Sequence, residues 1–347
     1  MNSSSGDWPG VSVFLCVRDE AAHLEQALRS ILDQDYPGPF EVVMAVGPSS
    51  DATGALAEEL AARHPQLRLV ANPSGATPQG LNRAWREARH DYLVRVDGHS
   101  QLPPGYVRRA VEVLEQTGGA NVGGMMAPEG TQPFQKAVAR AMSTPYGIGA
   151  ESFHTGGVAG PAKTVYLGNY RRSALEAVGG FNESFARAQD WELNHRLIEA
   201  GQVVWFDPSL SVVYRPRRTW RALARQFYAT GRWRWQVIRA YPGTASPRYL
   251  APPAAAAAVG LGLVVGGIGL VRRGRLAASL LAVPGLYAAG VVAAAALESK
   301  GLDRRARAWL PVVIATMHMA WGAGFLRGLA GGVLARRPAQ RRTARAD

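Results

Sequence analysis

The sequence predicts an α/β domain followed by a helical membrane region, and three observations predict this. Over residues 11–250, short apolar runs alternate with amphipathic segments of helical period, a pattern typical of βαβ units and a parallel sheet. Beyond Pro253, three long uncharged runs follow. Residues 251–347 also hold 13 of the 39 Lys and Arg residues but only 3 of the 26 Asp and Glu residues, which favours anionic lipid headgroups as neighbours.

The apolar runs and the amphipathic segments give the first elements of the fold. We predict strands over Val11–Val17, Phe40–Val46, Leu67–Ala71 and residues 92–96, and helices over residues 20–34, 52–63 and 78–90. The apolar residues of the first helix recur at helical spacing and therefore share one face. They are Ala21, Leu24, Ala27, Leu28, Ile31 and Leu32.

The three uncharged runs cover residues 254–271, 276–297 and 308–326. About 20 apolar residues are needed to cross a bilayer as a helix, so we expect membrane helices here; a buried helical hairpin is the alternative. If the N-terminal domain is cytosolic and all three runs cross, the arginines at 272–275 and the tail from Arg336 lie outside. That conflicts with the positive-inside tendency, and a run that is re-entrant or lies in the interface would remove the conflict.

Arginine and tryptophan are interleaved ahead of the first apolar run, over residues 215–241. This pattern predicts interfacial helices, with cations at lipid phosphate and indoles at headgroup level. A solvated basic helix is the alternative, and single-stranded nucleic acid is disfavoured by the adjoining apolar runs. The predicted division is a catalytic domain over residues 1–214, interfacial helices over 215–248, a membrane domain over 249–335 and a basic tail over 336–347.

Asp97-Gly98-His99 follows the fourth predicted strand and is the first candidate for chemistry. A carboxylate and an imidazole two residues apart at a strand end can face one divalent cation, which stabilises a departing diphosphate as a Lewis acid. A plain turn is the alternative for so short a motif.

Two further polar segments are candidates. Asp190 could remove the proton of an attacking hydroxyl, with Glu192 as a less favoured substitute, or could cap a helix. The turn over residues 47–53 follows the second predicted strand, where ligands of α/β sheets gather. It could bind a nucleotide, or its Ser49, Ser50 or Asp51 could cap the next helix.

In their order along the chain, these segments resemble family-2 glycosyltransferases with a GT-A fold, and especially the membrane-bound succinoglycan-type glucosyltransferases of bacterial polysaccharide synthesis. The resemblance covers about residues 11–241. In the first half of the chain, the opening strand through Glu20 matches the family, residues 49–53 match the end of its D-D-G-S-T-D-G-T turn, Asn82 matches its L-N or A-N, and residues 97–99 match its D-x-D. Further along, residues 179–183 match G-G-F-D-E, residues 189–190 match E-D, and residues 225–233 match Q-x-x-R-W.

The resemblance implies a role for each matched residue. It places Val17, Arg18 and Glu20 beside the nucleobase, and Ser49, Asp51, Asn82 and Asp97 in the nucleotide-sugar site. It implies that Asp97 and His99 hold Mn2+ or Mg2+, that Asp190 is the catalytic base, and that Gln226, Arg232 and Trp233 lie on the diphosphate and acceptor side.

Three departures from the family pattern limit what can be carried over. Val46 and Gly47 replace the two acids of the D-D-G-S turn, so the usual carboxylate contact to uracil is missing and a UDP donor is in doubt. Gln189 replaces the usual Glu. The spacing from Gln226 to Arg232 exceeds that of Q-x-x-R-W, which argues against a processive polymer synthase.

The expected activity is therefore that of an inverting hexosyltransferase at the plasma membrane, with its catalytic domain in the cytoplasm. The expected partners are a nucleotide-sugar donor such as UDP-glucose, the membrane, and a polyprenyl-diphosphate-linked saccharide acceptor, with no nucleic acid. Two alternatives stay open: transfer to a polyprenyl phosphate or a glycolipid, and a non-catalytic membrane scaffold that binds a nucleotide sugar.

Overall fold

The computed structural model describes residues 8–149 and 151–332 and divides the chain into two compact units. The first unit ends at Pro216 and the second begins at Arg217, close to the boundary predicted after residue 214. The predicted basic tail, residues 336–347, lies outside the described residues.

The first unit alternates strands and helices, as predicted. Its elements are β1 (Val11–Val17), α1 (Leu24–Leu32), β2 (Phe40–Val46), α2 (Thr53–Arg63), β3 (Leu67–Ala71), α3 (Thr77–Glu87), β4 (Tyr92–Arg95), α4 (Tyr106–Thr117), β5 (Asn121–Pro128), α5 (Pro133–Met142), α6 (Ser152–Thr155), β6 (Gly160–Pro161), β7 (Tyr166–Arg171), α7 (Arg172–Val178), α8 (Gln189–Glu199) and β8 (Val204–Tyr214).

The strands form one mixed sheet in the order β3-β2-β1-β4-β7-β5-β8-β6. The pairs β1–β2, β1–β4 and β2–β3 are parallel, as is β5–β8. The strand β7 is antiparallel to both β4 and β5. The parallel half confirms the α/β prediction and brings the carboxyl ends of β1, β2 and β4 to one edge.

The sheet has a hydrophobic core on each face, because successive side chains of a strand point to opposite sides. In β1, the side chains of Val11, Val13, Leu15 and Val17 pack in the core that includes α1 and α4. Phe14 lies in the opposite core, with residues of α3 and α8. The apolar face predicted for α1 is buried, at Leu24, Ala27, Leu28 and Ile31.

The first helix begins later than predicted, at Leu24 and not at residue 20. The backbone N–H of Glu20 donates to Thr53 Oγ1 at 2.8 Å, and that of Ala21 to Asp51 Oδ2 at 3.1 Å. These tertiary hydrogen bonds stabilise a turn where helical periodicity had suggested the first turn of a helix.

The second unit is helical, with α9 (Trp220–Ala240), α10 (Pro247–Val271), α11 (Arg275–Ser279), α12 (Ala282–Leu297) and α13 (Arg304–Gly332). Among the described residues, three segments are long and apolar enough to cross a membrane: Pro247–Val271, Arg275–Leu297 and Arg304–Gly331, of 25, 23 and 28 residues. They coincide with the three predicted runs.

The Arg- and Trp-rich segment forms one long helix, α9, which packs closely against α13. At Gly231 a side chain would strike the backbone of Trp321, and at Gly324 it would strike the backbone of Tyr228. At Gly328 it would press on Trp235. Small residues permit such close helix packing in lipid, so α9 is part of the helical unit, and its predicted place in the membrane interface stays a prediction.

We therefore predict that Gly324→Leu disrupts the contact between α9 and α13. Gly331→Leu is the control, because no heavy atom of the described residues, apart from the local helix backbone, lies within 4 Å of the added Cβ. In detergent-solubilised protein, Gly324→Leu should lower the temperature of thermal aggregation while Gly331→Leu leaves it near that of the wild type. Equal temperatures for the two variants would contradict the contact.

Candidate active site at the carboxyl edge of the sheet

The turns after β1 and β2 interlock through side chains of residues 49–53. The Ser49 hydroxyl accepts the backbone N–H of Asp19 at 3.1 Å, and the Asp19 carboxylate accepts the N–H and the hydroxyl of Ser50 at 2.6 and 2.9 Å. Asp51 accepts the N–H of Thr53 at 3.0 Å and also its hydroxyl. The sequence left open a nucleotide contact or a helix cap for this turn; in the structure its side chains hold the turn after β1, and the nucleotide contact stays a prediction.

Hydrogen bonds keep two carboxylates of this interlock ionised. The backbone N–H and hydroxyl of Ser50 hold the pKa of Asp19 below its usual range, and the Thr53 hydroxyl does the same for the pKa of Asp51. A lowered folded-state pKa gives stability that is present above the usual value and is lost as the pH falls through the folded-state pKa. The interlock is therefore complete at neutral pH and weakens only in acid.

Asp97 and Asp190 meet at one buried arginine. Arg95, the last residue of β4, is 3% exposed. Its Nη2 donates to Asp97 Oδ1 at 2.6 Å, and its Nη1 forms an ion pair with Asp190 Oδ1 at 2.5 Å. Burial lowers the pKa of Arg95, but the charges of Asp190 and Asp97 outweigh it and raise this pKa above its usual range. The structure thus brings the predicted metal ligand and the predicted base together.

His99 faces the turn after β1. Its Nδ1 lies 2.9 Å from Glu20 Oε1, and the His99 side chain is about half exposed. Gly98, between Asp97 and His99, permits this approach, because an added Cβ would lie 2.8 Å from Val17 Cγ1 and 3.4 Å from Glu20 Cγ. A carboxylate on one imidazole nitrogen is the usual arrangement that orients a metal-ligating histidine through its other nitrogen.

Asp190 is in the first turn of α8, but it is not the N-cap predicted as the alternative. The N-cap position is Ala188, at φ 58°, and no side chain caps the helix. The Asp190 carboxylate points to Arg95, so a local capping role does not account for this residue. Its negative charge at a helix N-terminus is favourable in addition.

Asn82 positions the loop that leads into α8. It is 2% exposed, its Nδ2 donates to Phe181 O at 2.8 Å and to Glu183 Oε1 at 3.0 Å, and its Oδ1 accepts from Phe181 N and Trp85 Nε1. In that loop Gly180 adopts φ 75°, and a side chain there would collide with the Asn82 amide. The contacts of Asn82 therefore support a structural role, where the resemblance had implied contact with the nucleotide sugar.

Glu192, the substitute base of the sequence analysis, is bound to other side chains. Its side chain is fully buried and holds Arg196 at 2.9 and 2.8 Å, and it accepts from Asn182 Nδ2 at 3.1 Å. An acceptor hydroxyl has no route to a carboxylate in this position. Glu192 supports the loop before α8, and Asp190 remains the candidate base.

The remaining predicted residues fall in both units. The Val17 side chain is in the core, so only its backbone can face a nucleobase, whereas Arg18 is exposed. Gln226, Arg232 and Trp233 lie on α9, in the second unit. At about 100° per residue, Gln226 and Arg232 point about 120° apart around the helix axis, so the helix does not bring these two side chains together.

Comparison with known proteins decides the family. The model of the family described as "Glycosyl transferase family 2" matches residues 12–179. A succinoglycan biosynthesis protein, ExoA, of Rhizobium meliloti is 34% identical over 90% of this chain and 92% of its own. This chain belongs to glycosyl transferase family 2.

Other similarities agree with this family-2 glycosyltransferase. A beta-monoglucosyldiacylglycerol synthase of Synechocystis is 26% identical over 56% of this chain and 42% of its own. The structure of the mannosyltransferase PcManGT from Pyrobaculum calidifontis, in complex with GDP-Man and Mn2+, superposes with a TM-score of 0.59 at 22% identity, over 94% of this chain and 88% of that one. The GT-A expectation is thereby confirmed, and the protein is a glycosyltransferase.

The donor atoms at this edge fit a divalent cation that also binds a diphosphate. Within residues 8–149 and 151–332, no group of three or more His, Cys, Asp or Glu side chains is arranged to hold a metal. Asp97 and His99 offer one carboxylate and one imidazole, and Mg2+ typically takes one or two carboxylates together with substrate phosphates. A site with two protein ligands therefore suits a cation whose remaining coordination positions are filled by phosphate oxygens of the donor.

Sequence reasoning missed Arg95. The signal was present: an arginine interrupts an otherwise apolar run, Leu93-Val94-Arg95-Val96, that leads into Asp97. A charged side chain inside a buried strand needs a partner of opposite charge, and two such partners were already candidates for chemistry.

We predict that Asn82→Ala destabilises the first unit by about 2 to 4 kcal/mol, since the change leaves the N–H of Phe181, the indole N–H of Trp85 and the loop carbonyl of Phe181 without partners. Arg83→Ala, an exposed change on the same helix, is the matched control and should change the free energy of unfolding little. Chemical denaturation followed by tryptophan fluorescence measures both. An equal effect of the two changes would show that Asn82 does not hold the loop.

Proposed function

We propose that this protein is an inverting glycosyltransferase that moves a hexose from a nucleotide diphosphate onto a membrane-associated, polyprenyl-diphosphate-linked saccharide. The observation that carries the proposal is the meeting of Asp97 and Asp190 at Arg95, at the carboxyl edge of the sheet. It supports one carboxylate on the donor side and one on the acceptor side of a single reaction centre.

In this mechanism the chain binds the donor with its strand-end turns and activates the acceptor with Asp190. Residues 18–20 and 49–51 form the nucleotide side. Asp97 and His99 would hold Mn2+ or Mg2+, and the bound ion would neutralise charge on the leaving diphosphate. Asp190 accepts the proton of the acceptor hydroxyl as that oxygen attacks the anomeric carbon from the face opposite the leaving group. Arg232 and Trp233 contribute on the diphosphate and acceptor side.

UDP-glucose is the first donor to test, and recognition of its base differs from the family pattern. At Gly47 an added Cβ would lie 3.1 Å from Gly75 Cα, so the position of the second turn acid is crowded by the backbone after β3. An acidic side chain is thus disfavoured there. The exposed Arg18 and the backbone of residues 17–20 are the groups we propose for base recognition.

The second unit supports a membrane acceptor. Its three apolar segments are long enough to cross a bilayer, and we propose that they keep the enzyme at the plasma membrane with the catalytic unit in the cytoplasm. Confining donor-loaded enzyme and lipid-linked acceptor to one surface removes much of the encounter entropy. Similarity to the succinoglycan biosynthesis protein supports a role in exopolysaccharide or cell-envelope glycan synthesis.

A glycolipid is the second candidate acceptor, favoured by the similarity to a beta-monoglucosyldiacylglycerol synthase. The two candidates differ in the lipid that carries the new sugar. A polyprenyl diphosphate linkage is cleaved by mild acid, whereas a diacylglycerol glycoside survives mild acid and loses its acyl chains in mild alkali. The chemistry of the labelled product therefore separates them.

We predict that Asp190→Asn lowers transfer at least 100-fold while donor binding stays within about 3-fold, because the amide cannot accept the proton. Membranes containing the protein are incubated with radiolabelled nucleotide sugars and Mn2+, and label in the solvent-extractable lipids is counted. Asp91→Asn, at a carboxylate that is 87% exposed, is the control and should transfer at the wild-type rate. Near-wild-type turnover of Asp190→Asn would exclude Asp190 as the base.

We further predict that Glu20→Ala weakens Mn2+ binding in the presence of UDP by about 10- to 100-fold, since loss of an outer partner of a ligating histidine has this effect. Glu20→Gln, which keeps an oxygen acceptor for His99, should recover most of the affinity. Electron paramagnetic resonance of free Mn2+ measures this without turnover. Glu25→Ala, which changes an exposed carboxylate in the first turn of α1, is the control. Unchanged affinity in Glu20→Ala would contradict His99 as a ligand oriented by Glu20.

A further inference from the structure

Arg95 is an unusual residue for its place in the fold. It ends β4, and its neighbours Val94 and Val96 are fully buried in the core. Its own side chain is 4% exposed. A cation in such a place costs several kcal/mol unless it is paired and hydrogen-bonded, so the position needs an account beyond the general stability of the sheet.

The two partners of Arg95 come from different elements of the first unit. Asp97 follows two residues later, just beyond the end of β4, and its Oδ1 lies 2.6 Å from Nη2. Asp190 is 95 residues further along, in the first turn of α8, and lies 2.5 Å from Nη1. One guanidinium therefore joins the strand that carries the candidate metal ligand to the helix that carries the candidate base.

The shape of the guanidinium makes this link specific to arginine. Its nitrogens are fixed in one plane, so the carboxylate hydrogen-bonded to Nη2 and the carboxylate ion-paired with Nη1 are held at a set separation. A lysine ammonium is a single point of charge on a flexible stem and cannot impose that separation. Near this link lies the buried Tyr170, whose hydroxyl has no hydrogen-bond partner among the residues that the structure describes.

We propose that Arg95 is a positioning residue that fixes Asp190 relative to Asp97, and so sets the distance between the base and the donor. The inference rests on the proposed function, in which those two carboxylates act on the acceptor and on the donor. Arg95 does not touch the substrates, since its side chain is almost completely buried. A displacement of about 1 Å at a reacting group can cost about 100-fold in rate, which is the scale of effect that such a link controls.

The competing account is that Arg95 only balances two negative charges so that the unit folds. Arg95→Lys separates the accounts, because lysine keeps the positive charge and loses the two-point link. If charge balance is the whole role, lysine should support normal turnover. If the link sets geometry, the variant should fold and bind donor but turn over slowly.

The experiment compares Arg95→Lys with Arg171→Lys in the full-length protein in membranes. Arg171 is the matched control, because it is an ion-paired arginine of the same sheet whose partner is Glu115. We expect Arg95→Lys to lower kcat at least 10-fold, with the KM for the donor and Mn2+-dependent UDP binding within 3-fold of wild type. We expect Arg171→Lys to keep kcat within 2-fold. Arg95→Gln, neutral and of similar length, serves if the lysine variant does not fold.

The outcomes are distinguishable from failure of the proposed function. An inactive Asp190→Asn together with an Arg95→Lys kcat within 3-fold of wild type overturns the positioning role alone. A raised donor KM with an unchanged kcat also overturns it, and indicates a role in donor binding. Failure of both Arg95 variants to fold overturns it as well, and indicates a role in folding. In the Asp190→Asn background, Arg95→Lys should cause no further loss of residual transfer. Normal turnover of Asp190→Asn would instead contradict the proposed base.

Discussion

The parallel pairing of β1 with β2 and β4 is the constraint on which the candidate site depends. The carboxyl ends of these three neighbouring strands lie at one edge because the strands are parallel. Ligands of α/β sheets gather at that edge. The turns after β1 and β2 are then close enough for Asp19 and Asp51 to accept hydrogen bonds across the gap. With those turns fixed, Glu20 meets His99, which follows β4.

Asp190 reaches this edge from another direction, through a sequence of buried polar contacts. Asn82 on α3 holds the loop over residues 181–183, and the Glu192–Arg196 pair holds the same loop from the α8 side, since Arg196 also donates to Gly180 O at 2.7 Å. Each of these groups would be costly if left unpaired in the interior. The loop is therefore confined to one conformation, and α8 begins where its first turn can meet Arg95.

Much of this arrangement could be predicted from the sequence, and the part that could not has a physical reason. Strands β1 to β3 match the prediction to the residue, and β4 ends one residue early, because apolar runs bounded by turn residues are a local signal. The start of α1 and the role of Asn82 depend on partners 30 to 100 residues away, which periodicity does not report. The pairing of Asp97 with Asp190 depends on Arg95, a residue whose only sequence signal was its charge within an apolar run.

In the helical unit too, tertiary contacts decide between the structures that a sequence pattern allows. Arginines interleaved with tryptophans suggested helices lying in the membrane interface, and that pattern is compatible with many depths and orientations. The glycine contacts of α9 with α13 remove most of that freedom, because backbones that approach so closely have few alternative packings. Tyr249 adds a second link, since it stacks on Trp321 of α13 and carries the Arg234 guanidinium of α9 over its ring at 3.9 Å. The arginines of α9 are therefore held at fixed positions beside the apolar helix α13.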